Sequence, residues 1–253
     1  MTEPLPMHQM AARFETGAAT HAGKVRSLNE DRFLARPQAG LWAVADGMGG
    51  YEGGEIASAA LVTMLETIGA PASAPDLLAR LEDRVLRANR QLREMGRARG
   101  GVLGTTLAAL LVFDGDHACV WSGDSRIYLV RDGAIAQLTR DHSEAQEMVD
   151  MGLLTADEAR VWPRRNVITR AIGVSDEPEL EIHQGRVEPG DIFVLCSDGL
   201  TAHVADEEIL AHVAGAPSQA ACDDLVALTL ERGASDNVTV VAVRCMPGPR
   251  AGG

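Results

Sequence analysis

Apolar positions along this chain follow two rhythms: short continuous runs, and recurrences at helical spacing. The runs are Leu41-Trp42-Ala43-Val44-Ala45 and residues 105–113, 117–122, 127–130, 134–138, 180–187, 192–196 and 238–245. Each has the length of a β-strand, and several are separated by turn residues, as at Asp114-Gly115-Asp116, Arg131-Asp132-Gly133 and Glu188-Pro189-Gly190. The pattern predicts a β-meander over 105–138 and a hairpin around Glu188-Pro189-Gly190. Helical spacing appears first in Ile56, Ala60, Leu61, Met64, Leu65 and Ile68, predicting a helix over about 54–68. A second helix begins near Pro75, with Leu77, Leu78, Leu81, Val85, Leu86 and Leu92 on one side. Arg80, Glu82, Asp83, Arg87 and Arg90 form its solvated face. Two more helices are predicted over 206–213 and 218–232, the latter stopped by Gly233. Strands come in consecutive groups and helices in pairs, which predicts an α+β fold of two sheets covered by helices. One domain, 14–245, accounts for the pattern, between a loose arm at 1–13 and a frayed tail at 246–253.

Composition narrows the class. Hydrophobic content of 46% and charged content of 23% are ordinary for a soluble globular chain. No apolar run approaches the roughly 20 residues of a membrane span, and the N-terminus lacks the basic start and apolar stretch of a secretion signal. Cys119, Cys196, Cys222 and Cys245 are far apart, and the first two lie within strand runs. They read as buried free thiols, which suits a cytoplasmic protein. A net charge of −13 argues against nucleic-acid or membrane-surface binding. It does not exclude phosphate chemistry, because bound cations and one arginine can reverse a local field.

The charge pattern points to such a site. Asp46, Asp124 and Asp198 each follow an apolar run, and Asp236 opens one. In an antiparallel sheet the end of one strand lies beside the start of its neighbour, so the four carboxylates can gather at one edge. Each alone suits an ordinary turn, but four turns need not all place Asp at the same end of the strands. Crowded carboxylates repel unless a cation neutralises them. Only oxygen donors recur, which favours Mg²⁺ or Mn²⁺ over zinc or copper. The histidines show no ligand spacing, and His142, in Asp141-His142-Ser143, suits a local hydrogen-bonding role. Asp46 opens a glycine cluster, Gly47-Met48-Gly49-Gly50-Tyr51-Glu52-Gly53-Gly54. A dinucleotide loop is the rival there, but Glu52 stands where its last glycine belongs, and the Gly-Lys-Ser/Thr of a P-loop is absent. Gly23-Lys24-Val25-Arg26-Ser27-Leu28-Asn29-Glu30-Asp31 reads either as a charged loop or as a phosphate-gripping arginine beside a carboxylate site.

Taken in order, Gly23-x-x-Arg26-x-x-Asn29-Glu30-Asp31, Val44-Ala45-Asp46-Gly47-Met48-Gly49-Gly50, Gly104-Thr105-Thr106, Gly123-Asp124-Ser125-Arg126, Ser197-Asp198-Gly199-Leu200 and Ser235-Asp236-Asn237-Val238-Thr239 resemble the motifs of the metal-dependent (PPM, or type 2C) protein phosphatases. The resemblance spans nearly the whole chain. It implies a four-layer α-β-β-α sandwich with two central, mostly antiparallel sheets and a metal cleft at one end. It further implies that Asp46 bridges two Mn²⁺ or Mg²⁺ ions, with the Gly47 carbonyl on the second. Asp198 and Asp236 would complete the first, and Asp31 would act through metal-bound water, with Glu30 nearby. Asp124 with Asp198 matches a third, weaker ion position, and Arg26 would grip the phosphate.

The reaction implied is in-line attack by a metal-bridging hydroxide on phosphoserine or phosphothreonine, without a phosphoenzyme. Phosphorylated proteins would be the substrates and a bacterial serine/threonine kinase the opposing enzyme. Many eukaryotic relatives carry a histidine where this chain has Met48, so leaving-group protonation has no assigned donor. The less regular stretch 143–169 corresponds to the family's flap, and reads equally as a gate or as a helical excursion packed on the sheet. Two alternatives stand beside this reading: a pseudophosphatase that binds phosphoproteins without turnover, and an enzyme for small phosphate esters.

Overall fold

The computed structural model describes residues 14–49 and 53–246. The expected arm at 1–13, the tail from 247 onward, and Gly50-Tyr51-Glu52 of the glycine cluster lie outside the described residues.

Among the described residues, eleven strands form two antiparallel sheets: β1 Phe14–His21, β2 Asp31–Arg36, β3 Leu41–Met48, β4 Gly104–Thr105, β5 Leu107–Phe113, β6 Asp116–Ser122, β7 Arg126–Arg131, β8 Ala134–Gln137, β9 Glu181–Arg186, β10 Ile192–Cys196 and β11 Val238–Cys245. The first sheet has the order β1-β11-β10-β7-β8, and the second β2-β3-β5-β6-β9, with β4 pairing with β3. Helices α1 Gly53–Glu66 and α2 Ala74–Arg99 cover the second sheet. Helices α6 Asp206–Gly215 and α7 Ser218–Glu231 cover the first. Short helices α3 Glu144–Asp150, α4 Ala156–Arg160 and α5 Asp198–Thr201 complete the set.

Three apolar layers separate these four. Leu41, Ala43, Leu107 and Ala109 meet Leu61, Leu65, Leu81 and Val85 beneath α1 and α2. Val194, Cys196, Val240 and Ala242 meet Ile209, Leu225 and Val226 beneath α6 and α7. Between the sheets lie Trp42, Val44, Ala108, Leu110, Phe193, Leu195, Val241 and Val243. The period of two along a strand explains the division: β3 sends Leu41 and Ala43 to the helices and Trp42 and Val44 inward. Asp46 continues the inward set at the strand's far end.

The helix boundaries follow capping chemistry. Ser73 accepts the Asp76 amide at 3.2 Å at the head of α2, and Gly100, at φ 71°, closes its end.

The structure corrects the expected connectivity. The run 105–138 is not one meander, because β6 belongs to the second sheet and β7 to the first. Gly123-Asp124-Ser125 is therefore a passage between sheets rather than a hairpin turn. Likewise β9 pairs with β6, whereas β10 pairs with β7 and β11, so Glu188-Pro189-Gly190 also carries the chain across. The two-faced burial of β10 leaves no alternation from which its sheet could be read. Asp46 also does not end its strand, since β3 continues to Met48 and pairs with β4.

Candidate active site

One end of the sandwich collects the aspartates. Asp31 starts β2 and lies opposite Asp46 in the β2–β3 register. Asp124 sits in the passage from β6 to β7, Asp198 opens α5 directly after β10, and Asp236 precedes β11. Each backbone position is held by neighbouring polar residues. The Asp46 amide donates to Thr106 Oγ1 at 2.9 Å, and Thr105 Oγ1 donates to the Asp46 carbonyl at 3.0 Å. Thr106 Oγ1 and Ser125 Oγ are hydrogen-bonded at 2.7 Å, so one threonine links the Asp46 strand to the Asp124 passage. Ser197 Oγ donates to Asp31 Oδ2 at 2.7 Å and accepts the Thr239 amide at 3.0 Å. Asn237 donates to the Ala22 and Leu28 carbonyls and accepts the Glu30 amide at 2.8 Å, which anchors the loop carrying Arg26.

Two glycines permit this crowding. A Cβ on Gly47 would lie 1.9 Å from the Gly54 carbonyl oxygen, and one on Gly199 would lie 1.8 Å from that of Asn237. Neither position has room for a side chain. Glu30, expected only as a neighbour of the site, braces the helix that follows the glycine cluster. Its Oε1 accepts the Gly54 amide at 3.0 Å, in the first turn of α1.

The electrostatics are those of uncompensated anions. Burial, and then the charges of Asp31, Asp198, Asp124 and Asp236, push Asp46 well above the usual carboxylate range. Asp124 is raised by burial and then by Asp198 and Asp141. Asp198 is raised by burial and then by Asp236. Burial also raises Asp31, against the opposing hydrogen bonds from Ser197 and Thr239. Asp31 is 1% exposed, and its Oδ1 is buried without a hydrogen-bond partner. Among the described residues, no three His, Cys, Asp or Glu side chains are gathered into a ready-made ion cage. The donor chemistry nevertheless fits a hard divalent cation. An unsatisfied buried carboxylate oxygen and mutually repelling aspartates are what such an ion relieves, with water completing its oxygen shell.

Arg26 stands beside the carboxylates and has a definite partner there. Its Nη2 donates to Asp236 Oδ2 at 2.8 Å. The structure thus joins the expected phosphate grip to an expected metal ligand. Met48 lies opposite Gly104 in the β3–β4 pair and has no proton to donate.

Beside Asp124 and Asp198 opens a groove of about 830 Å³. Ser143, Gln146 and Val149 line it together with Thr201, His203 and Asp206, with Arg126, Arg140 and Arg165 also in its lining. The 143–169 segment contains α3 and α4 and exposes Met151, Leu153, Val161 and Val167. Thr105, Thr106, Ser125, Ser197, Asn237 and Thr239 stand within the sequence motifs, but the sequence assigns them no role. Their only signal is adjacency to the aspartates whose backbone they hold.

Known proteins resemble this chain in sequence and fold. The family model described as Protein phosphatase 2C matches residues 19–232. The serine/threonine protein phosphatase PstP of Mycobacterium tuberculosis is 40% identical over 228 residues, covering 88% of this chain and 43% of that protein. The chain thus spans less than half the length of that relative. A solved structure described as PppA, a key regulatory component of T6SS in Pseudomonas aeruginosa, superposes with a TM-score of 0.86 at 38% identity, covering 92% of this chain and 98% of that one. The catalytic domain of PstP in complex with two manganese ions gives a TM-score of 0.82 at 36% identity, covering 92% and 99%. The α-β-β-α sandwich with carboxylates at one end defines a class, and the match over most of the chain identifies it. This chain belongs to the protein phosphatase 2C family.

Proposed function

We infer that the chain is a metal-dependent protein phosphatase that hydrolyses phosphoserine and phosphothreonine. One observation carries the reading: five aspartates from five separate segments converge on one end of the sandwich beside a guanidinium. The manganese-bound PstP relative supports assigning Mn²⁺ or Mg²⁺ to that end. Asp46, the Gly47 carbonyl, Asp198 and Asp236 would hold two core ions, with Asp31 acting through water. Asp124 and Asp198 would hold a weaker third. When bound, these ions supply Lewis acidity toward the phosphoryl oxygens and an acidified nucleophilic water.

The protein's own contribution is placement. Thr105 and Thr106 fix the Asp46 backbone from both sides, so its carboxylate does not reorganise as charge develops. Arg26 is exposed enough to leave Asp236 and take two phosphoryl oxygens, for which its planar fork is suited. The groove gives a phosphoprotein segment room beside Asp198. Residues 14–245 form the catalytic unit in this reading, with 143–169 as its flap. A bacterial serine/threonine kinase would be the opposing enzyme in cytoplasmic signalling. Among the described residues, no helix is long and apolar enough to cross a membrane.

The deciding experiment measures hydrolysis of an aryl phosphate and of a phosphothreonine peptide with Mn²⁺, using Asp46→Asn as control. Turnover of both that requires Mn²⁺ and is lost in the variant is the expected result. Manganese binding without turnover would overturn the enzymatic reading. Turnover of the aryl phosphate with none of the phosphothreonine peptide would overturn the choice of substrate.

A further inference from the structure

His142 is 6% exposed, and its bonds reach three parts of the molecule. The Gly123 amide donates to its Nδ1 at 3.1 Å, and its own amide returns a bond to the Gly123 carbonyl at 3.0 Å. This two-way clasp holds the residue immediately before Asp124. The His142 carbonyl accepts the Thr169 amide at 2.8 Å, and the next residues pair through the Ser143–Ile168 bridge. Both ends of the 143–169 segment are therefore secured at this point. With Nδ1 an acceptor, the ring proton resides on Nε2, which faces Glu181 Oε1 of the edge strand β9 at 3.2 Å. Arg170 Nη1 donates to the same carboxylate oxygen at 2.7 Å. Trp121 lies alongside the imidazole with ring planes 19° apart, and its Nε1 donates to the Arg140 carbonyl at 2.8 Å.

A buried imidazole with a fixed tautomer, bonded to a passage between sheets, to the base of a long surface segment and to an edge strand, does more than fill space. We propose that His142 is a positioning residue: it sets the Asp124 carboxylate and fastens the base of the 143–169 segment to it. Cation affinity at Asp124 and order at that base then depend on one side chain. The cation arm rests on the reading of Asp124 as an ion ligand given above. The order arm does not.

The test compares the full chain with His142→Phe, which keeps ring volume and loses both nitrogens, and His142→Asn, whose Oδ1 can take the place of Nδ1. Asp124→Asn is the reference. Calorimetric Mn²⁺ titration and amide hydrogen exchange are measured on all four. His142→Phe is expected to weaken the weakest Mn²⁺ site by at least about tenfold, as outer residues of metal sites do, while the tighter binding is unchanged. Exchange at Gly123 and Thr169 quickens, and trypsin cuts faster after Arg160, Arg164 and Arg165. His142→Asn recovers protection at Gly123 and most of the Mn²⁺ affinity. Equal weakening of every Mn²⁺ site, with exchange faster throughout the chain, would reduce His142 to a packing residue and overturn the proposal. If Asp124→Asn leaves the titration unaltered, the reading of Asp124 as a ligand fails, and exchange alone judges His142. Unchanged protection at Gly123 and Thr169 in His142→Phe would then overturn it, and a local loss would support it.

Discussion

Arg26 and Asp236 meet at 2.8 Å with 54% and 37% of their side chains exposed. Exposed ion pairs contribute about 0–1 kcal/mol, so this contact does little for the fold. Arg26→Ala should leave the urea midpoint nearly unchanged. It should raise KM for an aryl phosphate by roughly tenfold, a loss of about 1.4 kcal/mol of binding. Steady-state kinetics beside a denaturation curve checks both halves. His117 presents the opposite case. It is 5% exposed, its ring centroid lies 5.0 Å from that of Phe193, and neither ring nitrogen is hydrogen-bonded. Burial, and then the nearby charge of His183, lower its pKa below the ordinary 6.5. The folded state binds a proton on this ring less readily than the unfolded chain, which takes it up below about pH 6.5. Stability therefore falls as pH drops below that value, by at most about 1.4 kcal/mol per pH unit from this one group. Urea midpoints from pH 8 to 5 should show the fall, and His117→Phe should flatten it.

Strands and helices differ in how far the sequence disclosed them. The paired helices were legible because α2 buries Leu77, Leu81, Val85 and Leu92 on one face and caps itself with Ser73 and Gly100. The strands were legible as apolar runs, but their membership of sheets was not. Strands β5, β10 and β11 are buried on both faces, so they carry no alternation that assigns a side. The carboxylate end was readable because aspartate recurs beside the apolar runs. The hydroxyls and amides that fix it were hidden, since a Thr or Ser beside Asp suits any turn. Phe193 lies in the layer between the sheets and is fully buried. Phe193→Ala should cost about 3–5 kcal/mol by equilibrium unfolding, because neither sheet can close on the other without moving its helices.

At the scale of the whole molecule, cation binding by the crowded aspartates, as proposed, would link stability to metal. Mn²⁺ at 100 times its dissociation constant would stabilise the fold by about 2.7 kcal/mol per site. The melting temperature should rise with Mn²⁺, return with chelator, and rise less in Asp46→Asn. Burial also silences the thiols: it pushes Cys119, Cys196 and Cys222 up to about 12. The native chain should react little with a thiol reagent at pH 8 at these three positions, and readily once unfolded.

Strand β11 lies between β1 and β10, with Phe14 opposite Cys245 and His21 opposite Val238. The first described strand is thus bonded along its length to the last. During synthesis β1 must wait for everything between His21 and Val238 before its partner exists, and closing so long a loop is slow. Asp236 and Asn237, just ahead of β11, arrive at the same late moment. A nascent chain held on the ribosome short of residue 236 has neither a finished first sheet nor its last aspartate, so that sheet and the carboxylate set are completed together.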